Sequence, residues 1–201
     1  MIPVGAAVEK NIRNAMGRKS NKYMIGLKRG TVKLVEHNPK WRQNFEHEEK
    51  KIRKVFGRDA LEIQHVGSTA ISGIPAKPII DIVLIVLSLQ KARRYEKKLK
   101  EIGYEIKKND TRKERLFFTK GPEEKRTHYL HIGKIGSGYA EDMILFKDYL
   151  CNHRDIAKQY SDLKKSLAKK YQEKREIYTT KKEKLIKEIV KKAKKSLRTQ
   201  K

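Results

Sequence analysis

Residues Glu62 to Val86 read EIQHVGSTAISGIPAKPIIDIVLIV: an apolar strand, a Gly67-Ser68 turn, a loop of small residues, Lys77-Pro78 and a second apolar strand. That second strand carries one acid, Asp81. An unpaired carboxylate among aliphatic side chains is costly to bury, so Asp81 needs a hydrogen bond, a cation or a metal. Two readings stand side by side. In the first, Asp81 is structural, capping a turn or pairing with an arginine. In the second, free backbone N–H groups of the turn after Gly67 hold an anion. Asp81 then holds the divalent cation that accompanies nucleoside phosphates. The neighbouring residues fit the second reading better.

The flanks supply the rest of a fold. Thr31 to Val35 alternates like a short strand. Asn38-Pro39 then opens a helix that carries Trp41, Phe45, Ile52, Val55 and Phe56 at helical spacing and stops at Gly57. Leu61 to Val66 is the first core strand. A helix follows from Gln90 to Ile102 and ends at Gly103. RLFFTK (115–120) and THYLHI (127–132) read as an antiparallel hairpin across Gly121-Pro122. From Tyr139 onward the pattern is helical, with Met143, Phe146 and Leu150 on one stripe. Ile156, Tyr160, Leu163, Leu167 and Tyr171 form a second, and Tyr178, Leu185, Ile189 and Ala193 a third. Strands followed by helices give an α/β or α+β class, a mixed sheet flanked by helices. The expected organisation is a basic arm over 1–31, a core over 32–152, and lysine-rich helices over 153–201 packed on that core. Trp41, Phe45, Phe117 and Phe118 read as core.

Composition narrows the partners. The 201 residues carry a net charge of +26. Residues 1–31 hold 7 basic and 1 acidic side chain, residues 153–201 hold 18 and 6, and the centre holds 25 and 17. The excess thus sits mostly at the two ends. Such surfaces attract nucleic acid through counterion release; Lys and Glu together also mark heat-adapted proteins. The run Ile79–Leu87 is too short to span a bilayer, and no secretory leader is expected. The one cysteine, Cys151, cannot form an internal disulfide; a reducing cytoplasm is the expected compartment.

The segment HVGSTAISGIPAKPIIDI (65–82) resembles the signature of the GrpB family, whose members share the nucleotidyltransferase fold. The resemblance runs over about residues 32–195 and includes VKLV (32–35), NPKW (38–41), THYLHI and FKDYL (146–150) with His153. It implies a nucleotidyltransferase-like core in which a Gly-Ser turn holds a triphosphate. An Asp-x-Asp/Glu pair and a third carboxylate then hold one or two Mg2+ (or Mn2+) ions for in-line attack at the α-phosphate. Gly67 and Ser68 match the turn, and Asp81 matches the first acid and metal ligand. Val83 stands where the second acid belongs, and THYLHI lacks the third. Either other groups complete the site, or a phosphate-bearing ligand binds without turnover.

Among those other groups, His131 shares a strand face with Tyr129 and is the acid–base candidate beside Asp81, while His128 points the other way. His65 lies next to the turn. Thr69 caps the turn or donates to phosphate, and Lys77 offers a point charge to phosphate oxygens; both also have plain structural readings. Asp148, Tyr149 and His153 read as capping or ion-pair residues. Three classes of function follow: a binder of a nucleotide or phosphorylated small molecule, a nucleic-acid-binding module using the lysine-rich helices, or an inactive scaffold.

Overall fold

The computed structural model describes residues 25–108 and 113–199; most of the expected basic arm lies outside the described residues. Among them five strands form one mixed sheet in the order β1-β2-β5-β4-β3. They are β1 Glu62–Val66, β2 Ile80–Val86, β3 Tyr104–Ile106, β4 Arg115–Lys120 and β5 His128–Lys134. β2 runs parallel to β5, and the other neighbouring pairs are antiparallel, including the RLFFTK–THYLHI hairpin. The α+β class is therefore the one read from the sequence.

Strand alternation sorts the side chains between two layers. Ile80, Ile82, Leu84 and Val86 of β2 join Leu130 and Ile132 of β5 in a core closed by three helices. These are α1 (Lys40–Phe56), α2 (Leu89–Arg93) and α3 (Glu96–Glu101). Each fully buried aliphatic there contributes roughly 1.5–3 kcal/mol by leaving water. Val83 and Ile85 face the other way and pack with Val66 and Ala140. On that side α4 (Tyr139–Asn152) lies across β1, β2 and β5, while α5 (Arg154–Lys170) and α6 (Arg175–Thr199) stack on α4. Gly133 of β5 permits this close approach, since a Cβ there would fall 2.8 Å from that of Ala140.

The buried stripe of α1 contains a surprise. Trp41, Phe45, Glu48, Ile52 and Phe56 recur every three or four residues, and Glu48 is as buried as its apolar neighbours. Its carboxylate accepts from Lys120 Nζ at 2.5 Å and pairs with Lys51 Nζ at 3.5 Å. A buried charge survives only with such compensation.

Three local expectations change. Thr31–Val35 is not a strand; Val35 makes one antiparallel bridge, to Ala76. Pro75 and Pro78 beside that partner have no N–H with which to lengthen the ladder. The expected helix over 90–102 is two short helices, broken at Arg94-Tyr95. There Tyr95 packs against Phe56 in a tilted pair with ring centroids 4.4 Å apart, and its hydroxyl donates to Asp59 at 2.7 Å. Residues 25–31, read as part of a loose arm, are fastened instead: the Gly26 N–H donates to Pro78 O, and Leu27 bridges to Arg126.

Candidate functional site

The Gly-Ser turn is built around the carboxylate. β1 ends at Val66, whose register partner is Asp81. Gly67 follows with φ 69° and ψ −171°, a region in which essentially only glycine rests without strain. A Cβ at Gly67 would lie 2.7 Å from Asp81 Oδ2, so the missing side chain lets the backbone pass over the acid. Ser68–Ala70 then make one 3₁₀ turn. Ser68 makes no side-chain hydrogen bond among the described residues and lines the cavity above Asp81. The chemistry of the turn is thus an unoccupied hydroxyl beside a bare backbone curve.

Asp81 faces that cavity, its side chain 30% exposed. His131 Nε2 stands 3.5 Å from Oδ1. His131 sits opposite Val83 in the β2–β5 register, the position at which a second acid is missing. The other ring nitrogen, Nδ1, contacts an Arg115 guanidinium nitrogen at 2.9 Å and the Tyr139 hydroxyl at 3.0 Å. Arginine can only donate. Nδ1 is therefore the acceptor and Nε2 carries the proton that faces Asp81, an assignment made from the partners. Burial alone would raise the Asp81 pKa. Donation from His131, then the positive charges of Lys77 and Arg175, outweigh it and hold the acid below its ordinary value. The site holds an ionised carboxylate in a cationic field.

A cavity of about 1380 Å³ opens over this floor. Gly67, Ser68, Thr69, Lys77, Asp81 and His131 all line it. The Lys77 side chain makes no hydrogen bond or ion pair among the described residues, and its Nζ lies 5.5 Å from the Tyr178 ring centre. Burial, then the charges of Arg175 and Lys182, push its pKa well down. Lys164 of α5 is almost fully buried, donates to Pro75 O at 2.6 Å, and stands 4.8 Å over the Tyr160 ring. Burial, with Lys182 and Lys165 adding repulsion, lowers its pKa to about 7. Arg175 opens α6 with its guanidinium 5.2 Å from the Tyr129 ring centre.

Several candidates change role. His65 is absent from the cavity lining: its ring stacks on Phe45 at 5.0 Å, and Nε2 meets Thr69 Oγ1 at 2.9 Å. Burial lowers its pKa to about 4, so it is a neutral prop for the turn. Thr69 is buried and its hydroxyl is engaged by that ring, with Ile79 O at 3.5 Å. His131 is held through Nδ1 by Arg115 and Tyr139, with Nε2 at 3.5 Å from Asp81, an arrangement that suits orienting the acid better than shuttling protons. Phe117 is only partly core: it packs, partly buried, against the Leu27, Ile79 and Tyr129 cluster and also lines the cavity, stacked on His131 at 4.9 Å. Asp148 pairs with Lys147 at 2.5 Å, and Tyr149 stacks on His153 at 3.8 Å, away from the cavity lining.

A resident magnesium fits this donor set poorly. Among the described residues no three His, Cys, Asp or Glu side chains are grouped to hold a metal ion. Mg2+ favours several oxygens in octahedral array, whereas Asp81 has an imidazole at one oxygen and two cationic chains in its field.

Fold and site together define an α+β protein with a Gly-Ser turn and one carboxylate, Asp81, on the floor of a cation-rich cavity. The GrpB protein family profile matches residues 31–192. The chain is 36% identical over 171 residues to the glutamate-rich protein GrpB of Alkalihalophilus pseudofirmus, covering 83% of this chain and 98% of that protein. It is 39% identical over 137 residues to the UPF0157 protein YqkA of Bacillus subtilis, covering 68% of this chain but only 40% of YqkA. The chain therefore spans about two fifths of that relative. The solved structure of conserved protein GrpB from Enterococcus faecalis matches with a TM-score of 0.76 at 32% identity, covering 82% of this chain and 99% of the other. The chain belongs to the GrpB family. Among the described residues no helix is long and apolar enough to cross a membrane.

Proposed function

We propose that the cavity binds the phosphate groups of a nucleoside triphosphate or a similar phosphorylated small molecule. One observation supports this reading most: the side chains of Ser68 and Lys77, neither hydrogen-bonded among the described residues, open beside Asp81 into one large cavity. An ammonium desolvated without a counter-anion is costly, and a phosphate is the ligand that would relieve it. Lys77 and Arg175 meet phosphate charge, and the Ser68 hydroxyl and turn N–H groups donate to its oxygens. Mg2+ or Mn2+ enters chelated to the ligand and touches the protein only through Asp81. Catalysis of nucleotidyl transfer is a further step that this site does not require.

The test is a thermal-shift series with nucleoside triphosphates, with EDTA and with Mg2+. Ligands that bind only the native state raise its melting temperature. The parent protein should respond in EDTA and respond more with Mg2+. Asp81→Asn removes a negative charge beside the phosphates, so it should keep or strengthen the metal-free response and lose the magnesium increment. No response from the parent under either condition, or loss of both responses in a folded Asp81→Asn protein, overturns the reading.

A further inference from the structure

The wall of the cavity opposite its floor is one face of α6. Its lining residues, Arg175, Tyr178, Lys182, Ile186, Val190 and Lys194 among them, recur at three- and four-residue intervals for nearly the whole helix. Ten basic side chains line the cavity against four acidic ones, an excess of six. A nucleoside triphosphate carries about four negative charges, and drug-sized ligands fill roughly 300–1,000 Å³. Both the charge and the volume here exceed what one nucleotide satisfies.

The surplus is concentrated along the C-terminal half of α6. Lys187, Lys191, Lys195 and Arg198 follow one another along α6, are exposed, and form no ion pair among the described residues. Lys194, by contrast, is paired with Asp142 at 2.5 Å. Four residues of α-helix rise about 6 Å, comparable to the separation of successive phosphates in an extended single strand. Aromatic side chains from β4 and α4 line the same cavity. Tyr139 and Phe117 are both partly exposed in the same cavity, and Arg115 lies 4.6 Å from the Phe117 ring centre. A cationic track beside aromatic platforms is the physical recipe for binding single-stranded nucleic acid. An acidic peptide would use the charges and leave the rings idle.

We infer that α6 is a track for single-stranded nucleic acid, running back along Arg198, Lys195, Lys191 and Lys187 toward Arg175, whose charge reaches Asp81 on the floor. The inference rests on the phosphate-binding reading for the terminal nucleotide only. The strand contacts stand on α6 itself.

The experiment uses the full chain and a labelled single strand of mixed-sequence DNA, about a dozen nucleotides long, followed by fluorescence anisotropy at several salt concentrations. Substituting Gln at Lys187, Lys191, Lys195 and Arg198 should weaken strand binding at least tenfold. It should also lower the salt slope by about 3, since each phosphate contact contributes roughly 0.7. All four are exposed, so circular dichroism should show an unchanged fold. A control with Gln at Lys174, Lys181, Lys184 and Lys192 removes the same charge from exposed positions outside the cavity lining. It should bind almost as the parent does. Equal weakening by both variants, unchanged binding by the first, or equal competition by poly-glutamate of matched charge overturns the inference. The nucleotide thermal shift should survive in the first variant. If strand binding depends on α6 but no nucleotide shifts the parent, the phosphate-binding reading fails and this one stands.

Discussion

Glu48 and Asp81 occupy opposite faces of the same sheet and are managed in opposite ways. Glu48 is 3% exposed by side chain and accepts Lys120 and Lys51 inside a closed layer. Burial pushes its pKa up, but the Lys120 hydrogen bond and neighbouring positive charge more than reverse this. Asp81 is 30% exposed and has an imidazole at 3.5 Å, while its lysine, Lys77, makes no direct contact with it. One side closes its charges into a pair. The other keeps carboxylate and ammonium apart around an open space, as a site with room for a visiting anion would. Loss of Glu48 should therefore harm folding, and loss of Asp81 should alter binding.

Glu48→Ala is the largest expected effect. Removing one partner of a buried pair typically costs ~3–5 kcal/mol, and Lys120, 19% exposed, can recover part of its hydration. We expect a loss near the lower figure by urea denaturation, with the nucleotide thermal shift retained in the folded fraction. A stability change within experimental error would erase the contrast between the two faces.

Gly67→Ala comes next. Alanine at φ 69° and ψ −171° stores about 1–3 kcal/mol of backbone strain. Its Cβ would also press on Asp81 Oδ2 from 2.7 Å. Gly73→Ala is the matched control: φ is +79° there and nothing lies within 4 Å of the added carbon. Both variants should melt earlier, and only Gly67→Ala should lose the nucleotide response. Equal responses would detach the turn from the site.

Proton linkage sharpens the same contrast. The Lys164 pKa falls from 10.5 to about 7, and Lys77 shifts in the same direction, each chiefly through burial. Lys182, Lys165 and Lys77 face Lys164, and no carboxylate pairs with it among the described residues. From about pH 7 to 10 the unfolded chain holds more protons than the fold, so the empty protein gains stability as pH rises. Phosphate favours the charged ammoniums, so its binding takes up protons and weakens over the same window. While one proton is linked, affinity should fall roughly tenfold per pH unit. Calorimetry in two buffers of different ionisation enthalpy measures the uptake. Binding that is flat with pH would remove both lysines from the phosphate site.

Much of this arrangement was legible before the fold was known. A glycine before a serine, then an acid interrupting an aliphatic strand, fixes Gly67, Ser68 and Asp81 in one place, because adjacent strands must bring turn and acid together. Alternation likewise put His131 and Tyr129 on one face and His128 on the other. The cationic wall was harder to read, since Arg175 and Lys164 reach the cavity through helix packing rather than through local pattern. Lys164 did leave a trace: it stands four residues after Tyr160, on an otherwise apolar stripe. Glu48 left the same kind of trace between Phe45 and Ile52. A charged residue at a core position of a helix was the overlooked signal in both. His65 misled by proximity, because a strand residue next to a turn faces whichever layer its parity dictates, here Phe45.

The smallest effect tests the turn most directly. The Ser68 side chain makes no hydrogen bond among the described residues, and the backbone bond from Ile71 N–H to Ser68 O survives truncation, so Ser68→Ala should leave the melting temperature of the ligand-free protein unchanged within error. Its hydroxyl would become a donor only when phosphate arrives. The expected loss in nucleotide affinity is about 0.5–1.5 kcal/mol, or up to ~3 kcal/mol if the acceptor is a fully charged oxygen. Lys77→Met should cost at least as much, because an ammonium meets the same phosphate through charge. Unchanged affinity in Ser68→Ala with a loss in Lys77→Met would move the ligand toward α6 and away from the turn. Loss in both would hold it between the two faces of the cavity, over Asp81.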